Sequence, residues 1–76
     1  MWLNELAVGH QARVRSIAGA DEISTRLLEM GLTPGAMLAV LGTAPWGDPI
    51  ELELRGYRLS VRKSEAARVE VEAVPT

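Results

Sequence analysis

His10, the only histidine of the chain, is the residue whose side chain most directly offers chemistry, as a metal ligand or a general base. A ferrous site needs two imidazoles and a carboxylate, and a zinc site needs cysteines or several histidines. The sequence has no cysteine, and Glu5 is the carboxylate nearest to His10 along the chain. We therefore interpret His10 as a surface-turn residue and only a weak candidate ligand, and we predict no metal site and no cofactor. A weak metal-binding chaperone that depends on His10 is kept as an alternative.

The hydroxyl residues do not form a recognisable catalytic arrangement. Thr43 or Ser60 would need His10 as its base and a third group to orient that base, and no spacing along the chain suggests such a triad. The phosphate-binding patterns GxGxxG and GxxxxGK(S/T) do not occur in the sequence. A chain of 76 residues also has little room for a cleft of ~300 Å³ beside a core. The sequence thus predicts a protein that is not an enzyme.

A basic segment without any acidic residue covers positions 55–63 and contains Arg55, Arg58, Arg62 and Lys63. It is either a solvated strand face or a patch that steers association with an acidic protein surface. Nucleic acid is a poor fit, because the chain has a net charge of -2 and the segment's one aromatic residue, Tyr57, is expected to face inward. Arg55, at a turn, is also a candidate arginine finger acting on a partner's nucleotide, although a solvated arginine is the commoner case.

These residues are positioned by one helix, predicted over about 21–30. Asp21 is a typical N-cap residue, and Gly31 is suited to the left-handed position just past the helix. Leu32 is expected to fold back on Leu27, which closes the helix end. A buried stripe follows the helical period at Ile23, Leu27 and Met30.

The rest of the chain alternates as strands. The run 36–44 is almost continuously apolar, which predicts a central strand covered on both faces. Residues 50–54 and 57–61 alternate strictly around the turn Arg55-Gly56, which predicts a hairpin that pairs Leu54 with Tyr57. Two further strands are predicted near 11–17 and 68–74. We expect one mainly β domain over 1–76, a small bent antiparallel barrel of about five strands with one inserted helix, whose closure removes exposed strand edges.

The sequence has more apolar residues than the predicted core needs, and this excess indicates a partner-binding surface. Trp46 lies in a loop between Pro45 and Gly47, where it either folds over the barrel mouth or anchors an interface. Leu28 widens the helix stripe and is expected to reach outward, next to a cluster of apolar residues at the helix end. The predicted partner-binding residues are Leu28, Met30, Leu32, Trp46, Arg55 and Arg58.

Three segments resemble the motifs of the FeoA family: RLLEMGLTPG at 26–35, APWGDPI at 44–50, and RGYRLSVRK at 55–63 followed by Glu65-Ala66. The resemblance extends from Leu3 to about Val71, and the three motifs occur in the family's order. It implies an SH3-like barrel that serves bacterial ferrous-iron uptake and acts on the cytoplasmic GTPase region of the transporter FeoB. The same barrel is the last domain of metal-responsive repressors of the diphtheria toxin repressor type.

The resemblance thus implies a cytoplasmic accessory protein that binds a FeoB-type transporter and modulates its GTPase or gating. A start at Met1 with no helix-turn-helix region favours a free-standing protein, a monomer or weak homo-oligomer. Direct membrane insertion is not expected, since the longest apolar run, 36–41, is far shorter than the ~20 residues of a spanning helix. The alternative is an SH3-like regulatory module associated with a metal-responsive transcription repressor.

Overall fold

Five strands and two short α-helices make up the fold in the computed structural model, which describes residues 1–75. A single 3₁₀ turn, Leu3–Glu5, precedes them. The elements are β1 Gln11–Ile17, α1 Glu22–Glu29, β2 Met37–Thr43, β3 Ile50–Leu54, β4 Tyr57–Val61, α2 Lys63–Ala66 and β5 Val69–Val74. The strands form one antiparallel sheet in the order β4-β3-β2-β1-β5. The predicted mainly β class, with about five strands and one principal helix, is confirmed.

Helix α1 begins and ends where its local sequence dictates. Asp21 is the N-cap, and its carboxylate accepts a hydrogen bond of 3.1 Å from the main-chain N–H of Ser24. At the other end, the N–H of Leu32 donates to the carbonyl of Leu27 at 3.2 Å, while Gly31 has φ +107°. This Schellman closure requires a left-handed residue, which glycine adopts without a Cβ clash.

The hairpin of β3 and β4 has the predicted register, with Leu54 opposite Tyr57 and Glu53 opposite Arg58. Arg55 and Gly56 both have positive φ, 52° and 84°, which defines a type I′ turn. This turn type follows the right-handed twist of the two strands. The apolar side chains of both strands therefore point to the core.

Strand β2 is central in the sheet, but it is covered on one face only. Leu38 and Val40 are buried, whereas Met37 and Leu41 are exposed. The prediction that this strand is covered on both faces is wrong, because α1 and the core lie on the same side of a single sheet. Its outward apolar residues therefore remain in contact with solvent.

The sheet does not close, so the predicted removal of strand edges is wrong for β4. The outer edge of β5 is covered by the N-terminus: Trp2 bridges Glu70, and the carbonyl of Met1 accepts from the N–H of Val71 at 2.8 Å. Within residues 1–75 no strand pairs with the outer edge of β4. Helix α1 lies beside this edge across a groove, and it is bonded to β4 through Tyr57.

One apolar core lies between the inner face of the sheet and α1. Ser24 is the only buried polar residue among those the structure describes, and its hydroxyl donates to the carbonyl of Asp21 at 2.8 Å. That bond satisfies a group that would otherwise be costly to bury. The largest fully buried side chains are Leu3, Val14, Leu27, Leu32, Val40, Leu52, Leu54, Val61, Val69 and Val71.

Candidate functional site

A groove of about 390 Å³ runs between α1 and the open edge of β4. We call it the α1–β4 groove. Its volume is near the small end of the ~300–1,000 Å³ range of ligand sites, so the expectation that the chain has little room for a cleft of ~300 Å³ is wrong. Two apolar residues and five polar or charged ones line it: Met30 and Pro49, and Arg26, Asp48, Ser60, Arg62 and Glu65.

Side-chain bonds hold the two ends of the α1–β4 groove. At one end, the hydroxyl of Tyr57 donates to the main-chain carbonyl of Met30. At the other end, Arg26 forms an ion pair with Glu65. The carboxylate of Glu65 also accepts from the main-chain N–H of Arg62 at 2.9 Å, and this bond, followed by the one from Arg26, holds the pKa of Glu65 below its usual value. The groove is thus fixed by contacts from α1, β4 and α2 together.

Trp46 is the most exposed large apolar residue, with 91% of its surface accessible. Its loop is closed by a 2.7 Å bond from the N–H of Gly47 to the carbonyl of Ala44. The loop is also bonded to α2, where the N–H of Lys63 donates to the carboxylate of Asp48 at 3.0 Å. A side chain folded over the mouth of the sheet would be shielded from solvent, so that interpretation is wrong. Trp46 therefore projects outward from an anchored loop.

The three apolar residues predicted at the end of α1 have different environments. Leu32 is fully buried, with 0% exposure, so its predicted direct contact with a partner is wrong: the Schellman closure turns it into the core. Met30 is half-buried and lines the α1–β4 groove. Leu28 is 41% exposed, as predicted, but a helix advances about 100° per residue, which places it about 200° around α1 from Met30. Leu28 and the groove therefore belong to different flanks of the helix.

The basic segment lies along β4 and just beyond it. Arg55 donates to the hydroxyl of Thr33 at 3.2 Å, and Arg58 is exposed opposite Glu53 on the outer face of the sheet. Tyr57 was expected to face inward, and this is wrong in part, because the ring lies at the margin of the core with 45% exposure. Its partner across the hairpin, Leu54, is fully buried.

His10 lies in an exposed turn before β1. Within residues 1–75, no three side chains among His, Cys, Asp and Glu come together as a group that could hold a metal ion. Over the same residues, none of the helices has the length and apolar character needed to cross a bilayer.

Sequence reasoning missed the α1–β4 groove and its residues Arg26, Pro49, Ser60 and Arg62. The groove depends on where α1 lies relative to β4, and no local pattern encodes that placement. One available signal was the outward alternation of Arg58, Ser60 and Arg62 on a strand without a second neighbour.

Comparison with known proteins matches the FeoA domain family model to residues 1–73. A curated relative is the Fe(2+) transport protein A/Fe(2+) transporter FeoB fusion protein of Porphyromonas gingivalis, 36% identical over 74 residues. The match covers 97% of this chain and 9% of the fusion protein. The chain therefore spans about a tenth of the length of that relative.

Solved structures show the same fold. The FeoA-like protein of Clostridium acetobutylicum superposes with a TM-score of 0.93 at 38% identity, covering 100% of this chain and 88% of its own. FeoA of Stenotrophomonas maltophilia in complex with zinc, described as an SH3 domain protein, has a TM-score of 0.83 at 34% identity, over 95% and 89% of the two chains. A manganese-dependent transcriptional repressor has a TM-score of 0.88 at 18% identity over 97% of this chain and 36% of its own, a likeness of fold alone. The predicted SH3-like fold, and its occurrence in repressors, are confirmed.

Proposed function

The chain belongs to the FeoA family, and from this premise we propose that it is an accessory protein of bacterial ferrous-iron uptake that binds a FeoB-type transporter. In this proposal it acts on the cytoplasmic side and does no chemistry of its own. It changes the GTPase or gating equilibrium of the transporter by binding one state of that partner more tightly than another.

The observation that carries the proposal is the Porphyromonas gingivalis fusion, in which one polypeptide carries both parts. Covalent linkage keeps two binding modules at a high effective concentration. A separate chain has to achieve the same association through its own surface. The surface must therefore contain residues that contribute a large share of the binding free energy.

Trp46 is the residue best placed for that role. An exposed tryptophan on an anchored loop loses little conformational entropy on binding, and tryptophan is enriched among residues that dominate interface energetics. Leu28, 41% exposed on the flank of α1 away from the α1–β4 groove, provides a second contact. Arg55 and Arg58 would steer the approach of an acidic partner surface, and Met30 would contribute through the α1–β4 groove.

The test is a calorimetric titration of the full chain against the cytoplasmic GTPase region of a FeoB-type transporter from the same organism. We expect Trp46→Ala to weaken binding by about 30-fold, which corresponds to the ~2 kcal/mol typical of a dominant interface residue. Trp46→Phe should retain most of the affinity, because a large ring is kept. Val8→Ala is the matched control, since Val8 is also an exposed apolar residue in a turn.

Absence of binding at high micromolar concentrations would overturn the proposal, as would equal affinities for Trp46→Ala and the unmodified chain. The repressor-associated module, the alternative from the sequence, has a likeness of fold in its favour and no observation of its own. We therefore do not adopt it.

A further inference from the structure

We propose that the open edge of β4 is a binding site for an extended acidic segment of a partner protein, which adds to the sheet as a sixth strand. We rest this on the proposed function only for the identity of the partner as a FeoB-type transporter. The geometry and charge of the site are properties of this chain. The residues that form the site are Arg58, Ser60 and Arg62, together with those that line the adjoining α1–β4 groove.

The hairpin geometry determines which backbone groups of β4 are free. In a two-residue type I′ hairpin, the residues flanking the turn form a hydrogen-bonded pair, and bonded and non-bonded pairs then alternate. Leu54 and Tyr57 flank the turn, so the N–H and C=O groups of Tyr57, Leu59 and Val61 face β3. Those of Arg58 and Ser60 consequently point away from β3, toward the side where no strand pairs within residues 1–75.

The two edges of the sheet differ in what lies beside them. The edge of β5 is occupied by the N-terminus, with hydrogen bonds in both directions between Met1 and Val71. The edge of β4 has α1 beside it but at the distance of a groove, which Met30 and Ser60 line from opposite sides. Strand addition to such an edge is an established mode of peptide recognition.

The charges beside this edge favour an acidic occupant. Positions 55–63 carry four cations and no acid, and neither Arg58 nor Arg62 takes part in an ion pair among the described residues. Of the two carboxylates that line the groove, Glu65 is paired with Arg26 and Asp48 accepts from the N–H of Lys63. Two copies of β4 would bring these cations together, so the same charges oppose edge-to-edge pairing of this protein with itself. A carboxylate on an added strand opposite Arg58 would instead form a favourable cross-strand pair.

The two faces of the edge specify an alternating ligand. Side chains of an added strand would point alternately to the outer face, beside Arg58, and to the inner face, beside Met30 and Leu59. The expected recognition pattern is therefore acidic residues alternating with apolar ones. Strand β3, with the sequence IELEL, already pairs in this way with the other edge of β4, placing Glu53 opposite Arg58.

The test uses an acetylated and amidated heptapeptide, TEVEVET, added to the isotope-labelled full chain and followed by NMR. We expect amide shift changes and slower hydrogen exchange centred on Arg58 and Ser60. The peptide TKVKVKT, with the same β-branched pattern and opposite charge, should not bind. A TEVEVET peptide with N-methyl groups on alternate amides, made in both registers, should lose affinity in one register only, because strand addition uses the peptide N–H groups on one side.

Two variants test the site on the protein. Ser60→Pro removes a donor that faces away from β3, a position where an edge strand tolerates proline, and should weaken binding by about tenfold, as for one net hydrogen bond. Arg58→Glu should weaken it by a similar factor. Arg13→Glu is the matched control, because Arg13 is an exposed arginine on β1, away from the edge.

The outcomes separate this site from the proposed function. Absence of TEVEVET binding, equal losses for Arg58→Glu and Arg13→Glu, or peptide-independent pairing of two copies through Arg58 and Ser60 would overturn the strand-addition site. Binding of the transporter domain that is unaffected by Ser60→Pro would also overturn it, while leaving the proposed function intact. Peptide binding without transporter binding would support the site and reject the proposed partner.

Discussion

The hydroxyl of Tyr57 donates to the main-chain carbonyl of Met30, and this bond joins the open edge strand to the last turn of α1. The carbonyl belongs to the helix terminus, where no further helical N–H is available to satisfy it. The bond therefore both completes the helix end and links α1 to β4 beside the α1–β4 groove.

Removal of this hydroxyl should weaken the attachment of α1 to β4. We expect Tyr57→Phe to lower the free energy of unfolding by about 0.5–1 kcal/mol, the low end for a hydrogen bond because the site is half exposed. Urea titration followed by circular dichroism measures the change. An unchanged unfolding midpoint would show that the bond makes no net contribution to the free energy of unfolding.

Replacement of Gly31 by any residue with a side chain should lower stability, for two separable reasons. Its φ is +107°, and a Cβ would lie 2.6 Å from the Tyr57 hydroxyl and 3.1 Å from Leu54 Cδ2. Gly31→Ala should therefore cost about 2–3 kcal/mol, from strain and contact together. Gly35→Ala, at φ +92° with open space around it, should show the strain alone, and Gly42→Ala should show neither. Equal losses at Gly31 and Gly35 would remove the contact from this explanation.

Truncation should destabilise the protein much more at Leu32 than at Leu28. Leu32→Ala leaves a cavity in the core and should cost about 2–4 kcal/mol of unfolding free energy. Leu28→Ala should cost under about 1 kcal/mol, because the side chain is 41% exposed. Denaturant unfolding gives both values, and partner titration of the folded Leu28 variant then reports on contact alone. A large loss of stability in Leu28→Ala would contradict its placement on the surface.

Arg55 occupies a turn position that another residue should fill better. Its φ of 52° is left-handed, and asparagine adopts that conformation more readily in a type I′ turn followed by glycine. Arg55→Asn loses the bond to Thr33 but should still raise the free energy of unfolding by about 0.5 kcal/mol. The thermal midpoint is expected to rise accordingly. Arg55→Ala loses the same bond without the conformational gain and should be less stable than the unmodified chain. If both variants melt together, turn conformation is not the cause.

Acid should remove a stabilising interaction at the start of α1. Hydrogen bonds to Asp21, foremost from Arg68 at 2.6 Å and then from the N–H of Ser24, lower its pKa from 3.8 to about 2. A pKa that is lower in the folded state contributes stability above the unfolded value, and this contribution is lost as the pH falls through the folded value. The stability advantage of the unmodified chain over Asp21→Asn should therefore shrink between pH 4 and pH 2.

Thermal unfolding across this pH range measures that difference. Repeating the comparison in an Arg68→Met background is the control, since the advantage of Asp21 over asparagine should be much smaller without the guanidinium. A pH dependence that is the same in both backgrounds would assign the effect to another carboxylate.

Much of the local structure could be predicted because its determinants are close in sequence. The N-cap at Asp21 and the closure at Gly31 depend on residues within one or two helical turns. The register of β3 and β4 depends on a two-residue turn between two alternating segments. Each of these features is determined by backbone conformation and side-chain period, which a short stretch of sequence specifies.

The candidate surface was less predictable. Met30 and Leu28 were both expected to bind the partner, and the structure places them on different flanks of α1, with only Met30 lining the groove. Leu32 was expected to touch a partner and is buried. An excess of apolar residues in a segment shows that these residues need either burial in the core or contact with a partner. Which of the two applies to a given residue depends on the direction in which the chain leaves the helix.

By itself, the sequence determined the FeoA resemblance, the strand and helix pattern and the hairpin register, since all of these follow from residues near one another along the chain. Only the tertiary structure decided that the sheet stays open at β4 and that a groove lies beside it. Those features depend on contacts such as Tyr57 with Met30 and Arg26 with Glu65, which join residues 27 and 39 positions apart. The packing of α1 beside the open edge of β4 brings them together, and no local pattern encodes that packing.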